Sequence, residues 1–297
     1  MGAMRGGLSL LTLLTLVLLG FSFCGAWMPL GDALAVGRLH LAALLVLAAP
    51  FLFKLRARRL ALIALVLAVL ASGQIVAGFS AADAVAGGRY TLYQKNLLGR
   101  AWPRYPLADE IVAFNADFVT LQEVSDHNLR FMDKLFQSYP SKKVCDFRDV
   151  GGVAVMSRFP MVPGSAQCGD HDGLALMQVL LPHGEAIWIA SLHLHWPFPY
   201  GQAEQVERVV ARLKLLEGPV LLGGDFNMVP WGSSVARIAR AARANRLGPY
   251  RPSFPAFGPL LLLPIDHIML PDGASGNTEI RPAHGSDHLG ILARFDL

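Results

Sequence analysis

Two stretches of this sequence carry no charge for the length of a bilayer. Residues 8–28 hold none over 21 positions and residues 60–79 none over 20, and about 20 apolar residues in a helix cross a hydrocarbon core of about 30 Å. Between them, residues 33–53 are apolar apart from Arg38 and His40, which must then lie near headgroups or face a neighbouring helix. The expectation is three spans, 8–28, 33–53 and 60–79, forming a transmembrane region over residues 1–80. A cleaved signal peptide is the alternative for the first stretch, but its apolar run is too long and no small-residue cleavage site follows. A lipoprotein anchor at Cys24 is disfavoured by bulky Phe23 before it.

Cytoplasmic loops collect Lys and Arg. Lys54, Arg56, Arg58 and Arg59 crowd the second connection, whereas residues 29–32 hold no basic residue. The basic loop is therefore expected inside, and three crossings place everything after residue 79 outside the plasma (inner) membrane. The expected localisation is multi-pass, with an extracytoplasmic domain over residues 89–297 joined by a small-residue linker, 81–88.

The 53% hydrophobic content against 16% charged follows from these spans, and so does the net charge of +4. Residues 1–83 hold six basic and two acidic side chains, and the remainder 20 of each. A neutral outer domain gives no electrostatic argument for a nucleic-acid partner. No protein partner is evident. Cys145 and Cys168 lie in the outer domain, where either a disulfide or two free thiols is open, since spacing does not fix the Cα separation.

In the outer domain, period-2 alternation and short apolar runs predict strands over 90–96, 118–124, 152–157, 174–181, 186–195, 219–224, 265–270 and 289–295. Helical spacing predicts helices over 107–114, 128–138, 202–216 and 233–246. Mixed in this order, they imply an α/β (α+β) domain of two packed sheets with helices outside.

Polar groups recur at the strand ends: Asn96, Gln122-Glu123, His193 with His195, Asp225 with Asn227, Asp266-His267, and Ser286-Asp287-His288. Singly, each reads as a cap, a turn or a solvated charge. Together they supply carboxylate and amide oxygens, the ligands a hard cation such as Mg²⁺ takes, with no thiol of the kind zinc favours. Histidine beside carboxylate adds the acid and base that water attack on phosphorus requires.

Gln94-Lys95-Asn96, Leu121-Gln122-Glu123, Ser191-Leu192-His193, Gly224-Asp225-Phe226-Asn227 and Ser286-Asp287-His288 resemble the ordered motifs of the endonuclease/exonuclease/phosphatase superfamily. The resemblance spans nearly all of residues 88–297 and implies a four-layer αββα sandwich. It implies Glu123, Asn96 and Asp287 as ligands of Mg²⁺, with Mn²⁺ as a substitute. Asp225 and Asn227 are then expected to hold the attacking water and a phosphate oxygen, His288 to pair with Asp266, and His193 to act on the leaving group or the phosphate charge. Leu98 stands where some nuclease branches carry a second acidic ligand, so one metal is expected.

The leading spans resemble a membrane-anchored bacterial branch, the VanJ-type proteins, which implies a lipid-linked phosphate or pyrophosphate as substrate. An extracytoplasmic nuclease acting on DNA or RNA is the alternative. A degenerate sensor would have lost ligands, and none is lost. Arg237, Arg240, Arg243 and Arg246 are three apart on the predicted helix and would form either an anionic-headgroup face or a solvated one. Trp196 to Tyr200 and the apolar run around residues 258–264 are further candidates for the membrane interface.

Overall fold

The computed structural model describes residues 2–83, 87–100, 105–130, 132–148, 151–259 and 261–297. Four helices lead: α1 (Gly2–Phe21), α2 (Pro29–Val36), α3 (Arg38–Lys54) and α4 (Arg58–Ser80). On α4 a seam of Ala61, Ala64, Ala68 and Ala71 is buried against α1 and α3, where Leu19, Ala42 and Leu45 fill the contact. Small side chains at this spacing let helix backbones approach closely. The opposite face exposes Leu62, Ile63, Val66, Val69 and Leu70.

Two of these helices, Gly2–Phe21 and Arg58–Ser80, are long and apolar enough to cross a membrane. The expected span over 33–53 is corrected to a bent pair: α2 and α3 meet at 62°, and only taken together do they meet the criterion for a third span. Glycine at position 37 sits at the break. Arg38 faces a helical neighbour, with Nε donating to Ser22 Oγ at 3.0 Å and its guanidinium 3.9 Å above the Phe23 ring.

The domain that follows runs β1 (Tyr90–Asn96), α5 (Tyr105–Phe114), β2 (Phe118–Val124), α6 (Asp126–Leu129), α7 (Asp133–Ser138), β3 (Ser141–Arg148), β4 (Gly151–Ser157), β5 (Gln167–Cys168), β6 (Leu174–Leu180) and β7 (Ala186–His193). It continues through α8 (Gln202–Leu213), β8 (Val220–Asp225), α9 (Ser233–Ala242), β9 (Ala244–Arg246), β10 (Phe254–Pro259), β11 (Leu262–Leu263), β12 (Asp266–Pro271), β13 (Ser275–Arg281) and β14 (Gly290–Asp296). Two six-stranded sheets, ordered β13-β14-β1-β2-β4-β3 and β5-β6-β7-β8-β12-β9, pack face to face, and β10 and β11 form a separate hairpin.

Three apolar layers make the sandwich. Leu92, Phe118, Val155, Met177, Ile189, Leu221 and Ile268 fill the space between the sheets. Val206, Val209, Val235 and Ile238 of α8 and α9 cover one outer face, and Leu107, Ile111 and Leu135 of α5 and α7 cover the other. The alternation of strand side chains decides what happens at one end. On β1, β2, β7, β8 and β12 the positions two or four beyond the inner apolar residues are Gln94 and Asn96, Gln122, Ser191 and His193, Asp225, and Asp266. The central core therefore turns polar at a single edge of the sandwich.

Four local expectations are corrected. The helix predicted over 233–246 stops at Ala242, because Arg243 adopts a left-handed φ of 50° and Ala244 pairs with Pro271 of β12. Arg243 and Arg246 therefore leave the supposed arginine face. Arg246 donates to the carbonyls of Leu247 and Pro249 at 3.1 Å instead. The helix predicted over 128–138 is two short helices, α6 and α7. Strands β3 and β13 were not predicted; their alternation is broken by Lys142, Lys143, Asn277 and Glu279, and cross-strand pairing with β4 and β14 creates them. Trp196 packs on the core beside Phe254 rather than outward.

Cys145 and Cys168 form a disulfide with Cα atoms 5.4 Å apart, which ties β3 to β5. Closing a loop of 23 residues stabilises a domain by about 3 kcal/mol in the chain-entropy account. The Cys145→Ser, Cys168→Ser double variant is expected to melt several degrees lower, as read by calorimetry. An unchanged midpoint under oxidising conditions would show that the bond adds nothing.

Candidate active site

Parallel pairing sets Asn96 opposite Gln122 and His193 opposite Asp225, and antiparallel pairing sets Asp266 opposite Asp225. Strand ends from both sheets thus meet at the polar edge. Gly223 makes the approach possible: a Cβ there would lie 2.4 Å from Thr120 Oγ1 across the sheet interface.

Glu123 reaches this edge by a backbone irregularity. By strict alternation it would face away from Gln122, but the register with β4 shifts between Gln122 and Val124 and Glu123 takes a left-handed φ of 55°. Such bulges re-aim a side chain. Gly151 lies against the bulge, where a Cβ would sit 2.6 Å from the Glu123 carbonyl carbon. The Glu123 carboxylate then accepts from Asn96 Nδ2 at 3.1 Å and from Gly99 N at 2.8 Å.

The same Asn96 Nδ2 donates to Asp225 Oδ2 at 2.9 Å, so two carboxylates 102 positions apart in sequence converge on one amide group. Asp225 Oδ2 is also 3.6 Å from Nε2 of His193 and 3.6 Å from Nε2 of His288. Behind His288, Nδ1 meets Asp266 Oδ2 at 2.8 Å. Asp225, Asp266, His193 and His288 are all buried. Phe254 lies against the His288 ring with centroids 4.7 Å apart, and Phe147 stands edge-on to His193 at 5.6 Å.

Burial pushes Asp225 up to about 7, against the pull of the His288 charge and with help from the Asp266 charge. Burial also acts on Asp266, but the charge and hydrogen bond of His288 outweigh it and hold Asp266 below the usual carboxylate range. For His288 burial opposes the charge; the Asp266 and Asp225 carboxylates prevail and push it up to about 9. The two carboxylates thus favour the imidazolium form of His288.

This sets a pH dependence of stability. A histidine raised in the folded state stabilises fully below its unfolded value, near 6.5, and the contribution is lost as pH rises through about 9. In the presence of a chelator, the melting-temperature advantage of the native chain over His288→Gln is expected to be several degrees at pH 6 and to shrink between pH 7 and 9.5. A constant difference across that range would exclude a buried imidazolium.

The remaining predicted residues sit as follows. Asn227 donates through Nδ2 to Leu194 O at 2.8 Å and through its N–H to Asp225 Oδ1 at 2.8 Å, which fastens the loop that presents Asp225. Asn96 presents nitrogen rather than oxygen to the carboxylates, its Oδ1 accepting from Leu98 N at 2.9 Å. Asp287 is exposed and takes no part in the buried group, although Ser286 Oγ donates to Asn96 O at 2.8 Å beside it. His195 lies outside the cluster with its ring 5.3 Å from Phe147. His267 is pushed down to about 4 by burial and is engaged with Met228 O at 2.8 Å.

Sequence reasoning named Gln94, Gln122 and Ser191 within its motifs without giving them a role, and passed over Ser253. Gln94 Nε2 bridges Asp266 Oδ1 at 3.0 Å and Gln122 Oε1 at 2.8 Å, Gln122 passes on to Ser191 Oγ at 3.1 Å, and Ser253 Oγ accepts from Asp266 N at 3.2 Å. The signal was available for the first three, since they share strand parity with the site residues.

Asp225, Asp266 and His288 offer three ligand atoms within 4.8 Å of one another. Within the trio, His288 is held by Asp266 at 2.8 Å and lies 3.6 Å from Asp225. The donors that fit a hard cation lie on the Glu123 side. Glu123 and Asp225 bring carboxylate oxygens to one point, and Asn96 Nδ2 stands between them as a positive group would.

The sequence model of the Endonuclease/Exonuclease/phosphatase family matches residues 94–288, and the chain belongs to that family. Its members hydrolyse phosphoester bonds and generally use divalent metals. No curated protein matches the sequence. Among solved structures, D. rerio TDP2 complexed with single-strand DNA product is 18% identical with a TM-score of 0.55, covering 70% of this chain and 99% of its own. The mannosyl-6-phosphatase of Bacteroides thetaiotaomicron is 17% identical at a TM-score of 0.55, covering 69% and 99%. The human Nocturnin catalytic domain with bound sulfate is 18% identical at 0.55, covering 69% and 93%. At these identities the likeness is one of fold.

Proposed function

We propose that this chain is a membrane-anchored, Mg²⁺-dependent phosphoester hydrolase that acts by in-line water attack, with a lipid-linked phosphate or pyrophosphate as substrate. The observation that carries the reading is the convergence of Glu123 and Asp225 on Asn96, with Asp225 flanked by two histidines. Asp225, pushed up to about 7, is matched to accept a proton from the attacking water near neutral pH. His288, oriented by Asp266, and His193 on the other side each bring Nε2 to 3.6 Å from Asp225 Oδ2, where they would serve a phosphate bound beside it. Glu123 would hold the cation, with Asp225 beside it. Bound there, Mg²⁺ supplies Lewis-acid neutralisation of the phosphate oxygens.

Several features support a substrate in or on the bilayer. The helices α1 and α4 have the length and apolarity of spans, and Lys54, Arg56, Arg58 and Arg59 around the α3–α4 connection favour a cytoplasmic position for it. With α2 and α3 together as a third crossing, the catalytic domain is extracytoplasmic. It sits directly on the end of α4: Tyr250 N donates to Gly78 O at 2.9 Å and the Phe79 ring packs edge-on to Tyr250 at 5.5 Å. Tethering of this kind raises the local concentration of headgroups. Phe198 and Tyr200, at 53% and 65% exposure, add an apolar surface beside α8. The equal numbers of basic and acidic residues in the outer domain give a nucleic-acid backbone no electrostatic attraction.

The test is a paired assay of the purified full chain with Mg²⁺, one arm containing a polyprenyl pyrophosphate and the other plasmid DNA. Phosphate release in the first arm with intact plasmid in the second is the expected result. Nicking without phosphate release would replace this reading with a nuclease.

A further inference from the structure

Asp32 is an acidic residue on α2, in the helical region, yet it is buried at 6% exposure. A buried carboxylate costs several kcal/mol unless its oxygens are hydrogen-bonded. Its donors come from the catalytic domain, some 200 positions on. Asp32 accepts from Ser233 N at 2.7 Å, Ser233 Oγ at 2.8 Å, Ser234 N at 3.0 Å and Ser234 Oγ at 2.7 Å. Helix α9 begins at Ser233 with Gly232 as its cap residue and no side-chain cap of its own. Its first free N–H groups are therefore satisfied by a residue from another part of the fold. A Cβ at Gly25 would sit 2.1 Å from Asp32 Oδ1 and 3.0 Å from Ser233 Oγ, so the carboxylate is packed between the α1–α2 turn and α9.

The contact continues inward. Ser234 Oγ is also 3.0 Å from Gln202 Oε1, at the first turn of α8, and its single hydroxyl hydrogen is shared between that oxygen and Asp32 Oδ2, while the Ser234 N–H stays on Asp32 and holds the residue in place. Gln202 directs its Nε2 at His195 O (2.6 Å), Phe226 O (3.1 Å) and Asn227 O (3.5 Å). Phe226 and Asn227 are the two residues after Asp225, and His195 is two beyond His193. Ser234 and Gln202 are 4% and 2% exposed, so water does not compete for these bonds. Because Gln202 is fixed at its oxygen end by Ser234, its nitrogen end fixes the carbonyls of the loop that presents Asp225.

We propose that Asp32 is a positioning residue for the catalytic loop, acting through Ser234 and Gln202, so that the helical region sets the geometry of the site as well as its location. Ser234→Ala removes the link while leaving both backbone N–H bonds to Asp32 in place. Asp32→Asn keeps the side-chain size and removes the charge. A control, Trp231→Phe, breaks a different docking bond, Trp231 Nε1 to Ala35 O at 2.7 Å, that does not lead to Gln202.

The experiment uses the full chain in lipid nanodiscs and two readouts. The first is amide hydrogen exchange in peptides covering residues 225–229, which does not depend on any substrate. The second is kcat and KM for the water-soluble diester bis(p-nitrophenyl) phosphate with Mg²⁺. Ser234→Ala and Asp32→Asn are each expected to speed exchange in 225–229 and to lower kcat about tenfold with KM nearly unchanged, the mark of a displaced catalytic group. The double variant should be no worse than the more affected single one, since both break one path. Trp231→Phe should leave exchange in 225–229 unchanged. Unaltered exchange in Ser234→Ala, multiplicative effects in the double variant, or equal loosening by Trp231→Phe would each overturn the proposal. Should Asp32→Asn fail to fold, Ser234→Ala against Trp231→Phe decides alone.

Discussion

Glu123→Gln in the full chain is expected to lower Mg²⁺-dependent phosphoester turnover by about 10²- to 10³-fold, the usual loss when one preorganised stabiliser of transition-state charge is removed. The substitution preserves side-chain length, and one amide oxygen can still accept from Gly99 N. What it cannot preserve is the second oxygen facing Asn96 Nδ2, now 3.1 Å away: an amide nitrogen there would oppose a donor with a donor. The negative charge that draws a cation is lost as well. Because Glu123 is only half-buried and lies outside the packed layers, the melting midpoint should stay close to that of the native chain. Turnover measured against Mg²⁺ concentration, together with calorimetric titration of Mg²⁺ into the protein, separates the two effects. A variant that keeps native turnover and native Mg²⁺ affinity would remove Glu123 from the metal site.

The way Glu123 reaches the site shows which features the sequence made legible. Inner-face residues such as Gln94, Asn96, Gln122, His193 and Asp225 follow strand parity, so short alternating runs suffice to put them on one face and at one end. Glu123 breaks parity, and only the bulge opposite Gly151 explains its direction. Features made by tertiary pairing were not legible. Strands β3 and β13 carry charged residues that interrupt alternation, and β9 emerges from what reads as a helix, because edge pairing overrides local propensity. The break between α2 and α3 was hidden for a related reason: hydropathy registers composition, whereas a 62° bend depends on where backbone hydrogen bonds are interrupted. Asp32 shows the same limit. In sequence it is a lone charge in an apolar connection, and its partners lie some 200 positions away.

The second large effect is expected at Asp266, which need not touch the substrate at all. Its Oδ2 holds His288 Nδ1 at 2.8 Å, its Oδ1 accepts from Gln94 Nε2 at 3.0 Å, and its backbone N–H is bonded to Ser253 Oγ. Asp266→Asn leaves the shape of this nest almost intact. It removes the charge that does most to raise His288 against its burial. Without it, the imidazolium is favoured by the Asp225 and Asp287 charges, and His288 should titrate well below its native value of about 9. At pH 7.5 the expected loss in kcat is about 10²- to 10⁴-fold, the span attributed to positioned acid and base groups. The pH profile carries the distinguishing evidence. In the native chain activity should fall on the alkaline side near 9; in Asp266→Asn the fall should move to lower pH, so that residual activity is recovered on acidification. If Asp266 merely braced the fold, Asp266→Asn would lower the midpoint of unfolding and leave the alkaline limb where it was, and the pairing of Asp266 with His288 would then have no part in the chemistry.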